Sequence, residues 1–126
     1  MEHEPAQILL IEDNPGDADL VRLRLIESKS DVQVNCVPRL SDALACLEAT
    51  TPAVVLLDLN LPDSHGAETF RRIMQKAPNV PVVILSGSDD KTLAIKAVHH
   101  GVQDYLFKGD ITSKQLERAL HYAIER

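Results

Sequence analysis

The chain has 126 residues, 44% of them hydrophobic, which suits one compact domain with a buried core and excludes a disordered segment. Its 19 acidic and 13 basic residues give a formal net charge of −6, which argues against direct binding to nucleic acid or to a membrane surface. Because no apolar run approaches the length of a transmembrane helix, we expect a cytoplasmic protein.

Five strand-then-helix units are predicted along the chain, and they form a single domain over residues 1–126. Residues 1–6 are predicted to be a flexible lead-in, because they lack the apolar core of a signal peptide. The first strand is the short apolar run Ile8–Ile11. The helix after it opens at Asn14-Pro15, since a capping residue followed by proline is typical of a helix start.

The second and fifth predicted strands differ from the others because apolar and polar residues alternate in them. Val32, Val34 and Cys36 are the apolar positions of the second strand, and Tyr105 and Phe107 are those of the fifth. Alternation indicates a strand with one less buried face, so these two strands are predicted to be the edges of the sheet.

Two unbroken apolar runs, Ala53–Leu57 and Val80–Leu85, predict the third and fourth strands, because parallel strands covered on both faces lack alternation. Helical spacing of apolar residues predicts the intervening helices. The predicted buried residues are Ala18, Val21 and Leu25 in the first helix; Leu40, Ala43, Leu44 and Leu47 in the second; Phe70, Ile73, Met74 and Ala77 in the third; Ala94, Ala97 and Val98 in the fourth; and Leu116, Ala119, Leu120, Ala123 and Ile124 in the fifth. Cys36 and Cys46 fit neither a CxxC pair nor a zinc spacing, so they are predicted to be reduced thiols.

Alternating strands and helices predict the α/β class, as a doubly wound parallel five-stranded sheet of order 2-1-3-4-5 with helices on both faces, the flavodoxin-like arrangement. Ligands of such sheets bind at the carboxyl ends of the strands, where the order reverses between strands 1 and 3. Glu12 and Asp13 follow strand 1, and Asp58 follows strand 3. Ser86 follows strand 4, and Lys108 follows strand 5. We therefore expect three carboxylates, a hydroxyl and an ammonium at one edge of the sheet.

These residue types together are typical of a phosphoryl-transfer site. Clustered carboxylates need a counter-charge, and oxygen ligands without His or Cys suit a hard cation such as Mg2+. The metal and Lys108 would hold anionic oxygens while a carboxylate serves as the nucleophile. Taken singly, each residue has an ordinary role as a helix cap, a turn residue or a surface charge. A functional site is favoured only because all of them are predicted to lie at the same edge of the sheet.

Motifs along nearly the whole chain resemble the receiver domain of bacterial two-component response regulators, of the chemotaxis-regulator type. The motifs that carry the resemblance are Glu12-Asp13, Leu57-Asp58-Leu59-Asn60-Leu61-Pro62, Gly66, Ser86-Gly87, and Tyr105 with Lys108. The resemblance implies a signalling phosphoprotein that accepts a phosphoryl group on Asp58, as an aspartyl phosphate, from a sensor histidine kinase or a histidine phosphotransfer protein in a phosphorelay. It implies no enzyme activity beyond the domain's own phosphorylation and dephosphorylation.

The resemblance also implies a set of metal ligands. Asp13, Asp58 and the backbone carbonyl of Asn60 would bind Mg2+ directly, and Glu12 would act through water. Lys108 would pair with the phosphoryl oxygens.

A conformational switch is implied at Ser86 and Tyr105. Ser86 would hydrogen-bond the phosphoryl oxygens, and Tyr105 would rotate inward as Ser86 moves. This would change a protein-interaction surface formed by helix 4, strand 5 and helix 5. A downstream protein, a fused effector domain or a second copy in a phosphorylation-dependent homodimer would bind that surface. Asn60 and Ser88 would influence the lifetime of the phosphoryl group.

One departure from the family pattern is Gly109, because proline often follows the lysine there, commonly with a cis bond. The Lys108–Gly109 peptide is therefore expected to be trans or strained. Two alternatives remain open: a binding module of the same fold that is never phosphorylated, and a Mg2+-dependent phosphohydrolase with an Asp nucleophile. The phosphohydrolase is disfavoured because such enzymes place the nucleophile after the first strand and an acid two residues on, where this chain has Asn60.

Overall fold

The computed structural model of the protein describes residues 4–87 and 91–125. Its main sheet consists of β1 (Ala6–Ile11), β2 (Val32–Val37), β3 (Val54–Leu57), β4 (Val82–Ser86) and β5 (Asp104–Phe107). All neighbouring strands are parallel, and their order is β2-β1-β3-β4-β5. The predicted fold class, strand order and edge strands are therefore confirmed.

The first strand begins two residues before its predicted start. Ala6 belongs to β1 because it pairs with Val32, and its N–H donates to the Asp31 carbonyl oxygen at 3.1 Å. The predicted lead-in, residues 1–6, therefore overlaps the strand by one residue. Its residues 1–3 lie outside the described part of the chain, as does Ser88, to which an influence on the phosphoryl lifetime was assigned.

Five helices cover both faces of the sheet. Their bounds are Pro15–Glu27 (α1), Leu40–Ala49 (α2), Ala67–Lys76 (α3), Lys91–His99 (α4) and Ser113–Glu125 (α5). Alternate residues of β1 face opposite sides, so Ile8 and Leu10 pack with α1 and α5, while Leu9 and Ile11 pack with α2, α3 and α4. In the described ranges no helix is long and apolar enough to cross a membrane.

The apolar stripes of the helices were predicted well except at their margins. Val98 and Ile124 were predicted to be buried, but they are 57% and 38% exposed. Each follows a buried alanine by one position, Ala97 and Ala123, and one residue turns the helix by about 100° away from the sheet. Strand β5 is also half-buried at every position instead of alternating.

The two cysteines lie on opposite sides of the sheet. Cys36 packs against the cluster under α1 and α5, and Cys46 packs against the cluster under α2, α3 and α4. Both thiols are free, as predicted.

A short antiparallel hairpin, Asn60–Leu61 with Ser64–His65, was not predicted from the sequence. It holds Asp63 at the start of α2, where its two carboxylate oxygens accept the N–H groups of Leu40 at 2.9 Å and Ser41 at 3.0 Å. The Leu40 and Ser41 N–H groups, in that order, lower the pKa of Asp63 below its ordinary value. A side chain from another loop thus caps α2, because the residue at its own N-cap position, Arg39, accepts no hydrogen bond from the helix with its side chain.

We expect Asp63→Ala to lower the free energy of unfolding by about 1 kcal/mol, because two helix N–H groups lose their acceptor. Asp63→Asn keeps one acceptor oxygen and should lose less. The folded pKa of Asp63 is depressed, so this stabilisation is present above the ordinary carboxyl pKa and is lost as the pH falls through the folded value. Urea unfolding at pH 7 and at pH 3 measures both effects. Equal stability of both variants and the natural chain would contradict the capping role.

Candidate functional site

The backbone places Glu12 and Asp58 side by side at the carboxyl edge of the sheet. The N–H of Asp58 donates to the Ile11 carbonyl oxygen at 3.0 Å, and the N–H of Glu12 donates to the Val37 carbonyl oxygen at 3.0 Å. Both hydrogen bonds continue the parallel ladder one residue beyond the strands. The backbone of Glu12 and Asp58 is therefore held in place by the hydrogen bonds of the sheet.

Three carboxylates meet at this edge. Oxygen atoms of Glu12, Asp13 and Asp58 all lie within 4.8 Å of one another, with Glu12 and Asp58 buried and Asp13 exposed. The N–H of Asn60 donates to Asp58 Oδ1 at 3.2 Å, and the N–H of Asn14 donates to Glu12 Oε2 at 3.2 Å. These donors offset only part of the negative charge, so the cluster attracts cations.

Lys108 supplies the ammonium group of the site. It follows β5 at the start of a 3-10 turn, Lys108–Asp110, and its side chain is 12% exposed. Its Nζ donates to Glu12 Oε1 at 2.6 Å and to Asp17 Oδ2 at 2.9 Å, and lies 3.5 Å from Asp58 Oδ2. Burial alone would lower the pKa of Lys108, but hydrogen bonds to Asp17 and Glu12 outweigh it and raise that pKa above its ordinary value. The ammonium is therefore permanently charged.

The peptide that joins Lys108 to Gly109 is trans, since the described residues contain no cis peptide bond. Of the two possibilities left open by the missing proline, the structure thus shows the trans form. Lys108 reaches the acidic cluster in this form.

Burial raises the pKa of Glu12 to about 7, and the neighbouring Asp58 adds to this rise, while the hydrogen bond from Lys108 opposes it. The folded chain therefore holds this proton more tightly than the unfolded chain does. Without a metal ion, this group makes the folded state less stable as the pH rises from 4.5 towards 7.

We expect the affinity for Mg2+ to rise with pH in the acidic range, by at most about tenfold per pH unit below the pKa of Glu12, because the proton and the cation compete for the cluster. Glu12→Gln should flatten this dependence between pH 5.5 and 7. Glu68→Gln, at an exposed residue of α3 paired with Arg71, is the matched control and should retain it. Calorimetric titration with Mg2+ measures the slope, and an equal slope in Glu12→Gln would contradict the assignment.

An open cleft of about 800 Å3 lies over these groups. The predicted site residues that line it are Glu12, Asp13, Asp58, Asn60, Ser86 and Lys108. Ser86 is 5% exposed and is the last residue of β4 rather than the first residue after it. The expected meeting of carboxylates, hydroxyl and ammonium at one edge is thus what the structure shows.

Tyr105 lies apart from the cleft. Its ring is half-buried, packs against the cluster under α2, α3 and α4, and meets Phe107 in an edge arrangement with centroids 5.5 Å apart. No described residue hydrogen-bonds its buried hydroxyl. Its role as a switch residue stays a prediction, as does that of Ser86.

Two contacts of the site were not predicted from the sequence. Asp17 contacts Lys108 from the first turn of α1, and His65 Nδ1 lies 3.0 Å from Asn60 Oδ1 across the hairpin. The signal for Asp17 was its place three residues after the capping Asn14, on the turn that faces the cleft. The hairpin contact had no comparable signal in the sequence.

The donor set suits a small hard cation. Among the described residues it consists of three carboxylates, without His or Cys, and one of the three is open to solvent. Mg2+ prefers such oxygens and keeps several of its waters, which the open cleft can accommodate. The residues present therefore fit the ion expected from the sequence.

Comparisons with known proteins agree on one family. A model described as the response regulator receiver domain matches residues 8–121. The nitrate/nitrite response regulator protein NarL of Escherichia coli strain K12 is 34% identical over 123 residues, 95% of this chain and 55% of NarL. The chain thus spans about half the length of that relative.

Two solved structures are also similar to this chain. The phosphorylated cyanobacterial phytochrome response regulator RcpA is 28% identical with a TM-score of 0.77, and the match covers 94% of this chain and 91% of that one. The Mn(2+)-bound form of response regulator Rcp1 is 29% identical with a TM-score of 0.75, and the match covers 93% and 91%.

Proposed function

The chain belongs to the response regulator receiver domain family, and on that premise we propose that Asp58 accepts a phosphoryl group in a Mg2+-dependent reaction. The observation that carries the proposal is the setting of the Asp58 carboxylate. It lies within 4.8 Å of the oxygens of Glu12 and Asp13 and 3.5 Å from the Lys108 ammonium, at the floor of an open cleft.

The transfer forms a bond between a carboxylate oxygen of Asp58 and phosphorus, and breaks the bond from phosphorus to the donor. Mg2+, when bound, neutralises charge on the phosphoryl oxygens. Asp13, Asp58 and the Asn60 carbonyl would be its direct ligands, with Glu12 acting through water.

Two side chains of the cleft would hold the transferred group itself. The permanently charged Lys108 and the Ser86 hydroxyl would take the phosphoryl oxygens. The phosphorylated RcpA and the Mn2+-bound Rcp1, both similar to this chain, support phosphorylation and a divalent cation in this family.

Receiver domains are signalling domains of two-component systems rather than metabolic enzymes. We propose that a histidine kinase or a histidine phosphotransfer protein phosphorylates this domain, and that it catalyses only its own phosphorylation and dephosphorylation. We place it in the cytoplasm, where such donors act, and two free thiols suit that reducing compartment.

The output surface in this proposal is formed by α4, β5 and α5. Among the described residues, four large apolar or aromatic side chains of its helices are exposed: Ile95 at 61%, Val98 at 57%, Tyr122 at 62% and Ile124 at 38%. A downstream protein, a fused effector domain or a second copy of the chain would bind there once Ser86 and Tyr105 have moved. Sizing with and without phosphorylation tests the homodimer, and identical monomer profiles would exclude it.

The proposal is tested by incubating the protein with acetyl phosphate, with and without Mg2+, and recording its intact mass. One phosphoryl adduct that requires Mg2+ is expected. Failure to form an adduct under rapid trapping would instead favour an unphosphorylated binding module. Turnover of phosphate esters well beyond one equivalent would favour a phosphohydrolase.

A further inference from the structure

Lys108 lies close to three carboxylates, those of Glu12, Asp17 and Asp58. An ammonium group has three N–H donors. Two of them are used by Glu12 at 2.6 Å and Asp17 at 2.9 Å, and Asp58 lies at the longer distance of 3.5 Å. The third N–H remains for an oxygen of a phosphoryl group on Asp58, and any shift of the ammonium from its 3.5 Å distance towards that side would lengthen one of the two short contacts.

The two short contacts are not equally easy to give up. Glu12 has a side chain only 2% exposed, so leaving it without the ammonium would strand a buried acceptor. Asp17 has a side chain 40% exposed, and water can replace the ammonium there. Asp17 is therefore the partner that Lys108 can give up at the smaller cost.

The position of Asp17 is fixed by its own helix. Its N–H donates to Asn14 Oδ1 at 3.1 Å, within the cap that opens α1. The carboxylate is thus held in the first turn of α1, whereas Asp58 follows β3. Lys108 Nζ is closer to Asp17, at 2.9 Å, than to Asp58, at 3.5 Å, so the contact with Asp17 competes with a close contact to a group on Asp58.

We propose that Asp17 is a positioning residue that competes with the phosphoryl group for Lys108, so that it restrains phosphorylation of Asp58. This inference rests on the proposed function. Release of Lys108 from Asp17 would accompany phosphorylation and would uncouple the first turn of α1 from the end of β5.

The test measures binding of beryllium trifluoride, which mimics a phosphoryl group on a carboxylate, in saturating Mg2+. Asp17→Asn is expected to bind it about two- to fivefold more tightly than the control Asp19→Asn, as befits a partly exposed ion pair. Asp19 is an exposed acid of the same helix, so its variant matches the change in net charge. Asp17→Glu, which keeps the charge, should bind as the natural chain does.

A second readout separates competition from a general structural effect. Without the Asp17 carboxylate, the Lys108 ammonium would pair more closely with Glu12 and Asp58 and would compete with Mg2+ for them. Mg2+ in the absence of the mimic should therefore bind more weakly to Asp17→Asn than to Asp19→Asn. A structural role would weaken both the mimic and Mg2+.

Equal affinities for the mimic in the two variants, or a weaker affinity in Asp17→Asn, would overturn the inference and leave the proposed function standing. Absence of mimic binding to the natural chain in saturating Mg2+ would instead overturn the proposed function, and this inference with it.

Discussion

Asp58→Asn is expected to abolish phosphoryl uptake from acetyl phosphate, leaving an unchanged intact mass in the presence of Mg2+. An amide oxygen carries no formal charge and is a poor nucleophile, whereas the Asp58 carboxylate lies beside both the cation site and Lys108. The fold should be retained, because the substitution keeps the shape of the side chain and removes one of three repelling carboxylates.

Asp63→Asn provides the control for this variant, because it makes the same chemical change five residues further on. Asp63 is exposed and its oxygens cap α2 instead of lining the cleft. It should take up one phosphoryl group as the natural chain does. If Asp58→Asn still gains a phosphoryl group in a Mg2+-dependent way, the acceptor is another residue.

Lys108→Met is expected to have the largest effect on the metal-free protein. Removing the ammonium strands Glu12 and Asp58 without their cation, and breaking such a buried pair lowers the free energy of unfolding by about 3 kcal/mol. The same change should strengthen Mg2+ binding by at least about tenfold, because a like charge a few ångströms from the metal is removed. Urea unfolding in a chelator and calorimetric titration with Mg2+ measure the two effects.

Lys76→Met is the matched substitution at an exposed ion pair. Lys76 and Glu48 contact at 2.5 Å, but their side chains are 32% and 68% exposed, so the change in stability should be much smaller than that of Lys108→Met. Equal stability losses in the two variants, or an unchanged Mg2+ affinity in Lys108→Met, would show that Lys108 is not the counter-charge of the cluster.

Much of the site was predictable because it depends on strand ends. Parallel strands bring their carboxyl ends to one edge, so Lys108 after the edge strand β5 was expected at the same edge as Glu12 and Asp58. Glu12 and Asp58 were expected to meet once the buried strands β1 and β3 were identified. The short runs of Val, Ile and Leu identified those strands without knowledge of the helices. The chemistry of the site then followed from the residue types alone.

The contacts that escaped prediction depend on how helices and loops are placed. Asp17 meets Lys108 across 91 positions of sequence, at a distance set by the packing of α1 on the sheet. Asp63 caps α2 through a hairpin of two-residue strands, which are too short to leave a periodic pattern. Val98 satisfied the helical spacing and is nevertheless exposed, because spacing fixes a stripe but not the width that the sheet covers.

The central claim is that Asp58 itself carries the phosphoryl group, and direct localisation tests it most sharply. Borohydride reduces an aspartyl phosphate to homoserine, which peptide mass mapping locates. After treatment with acetyl phosphate and Mg2+, we expect homoserine at position 58 and at no other position, and none when Mg2+ is withheld. Homoserine at Asp13 or Asp63, or its absence from a chain that carries the phosphoryl mass, would contradict the claim.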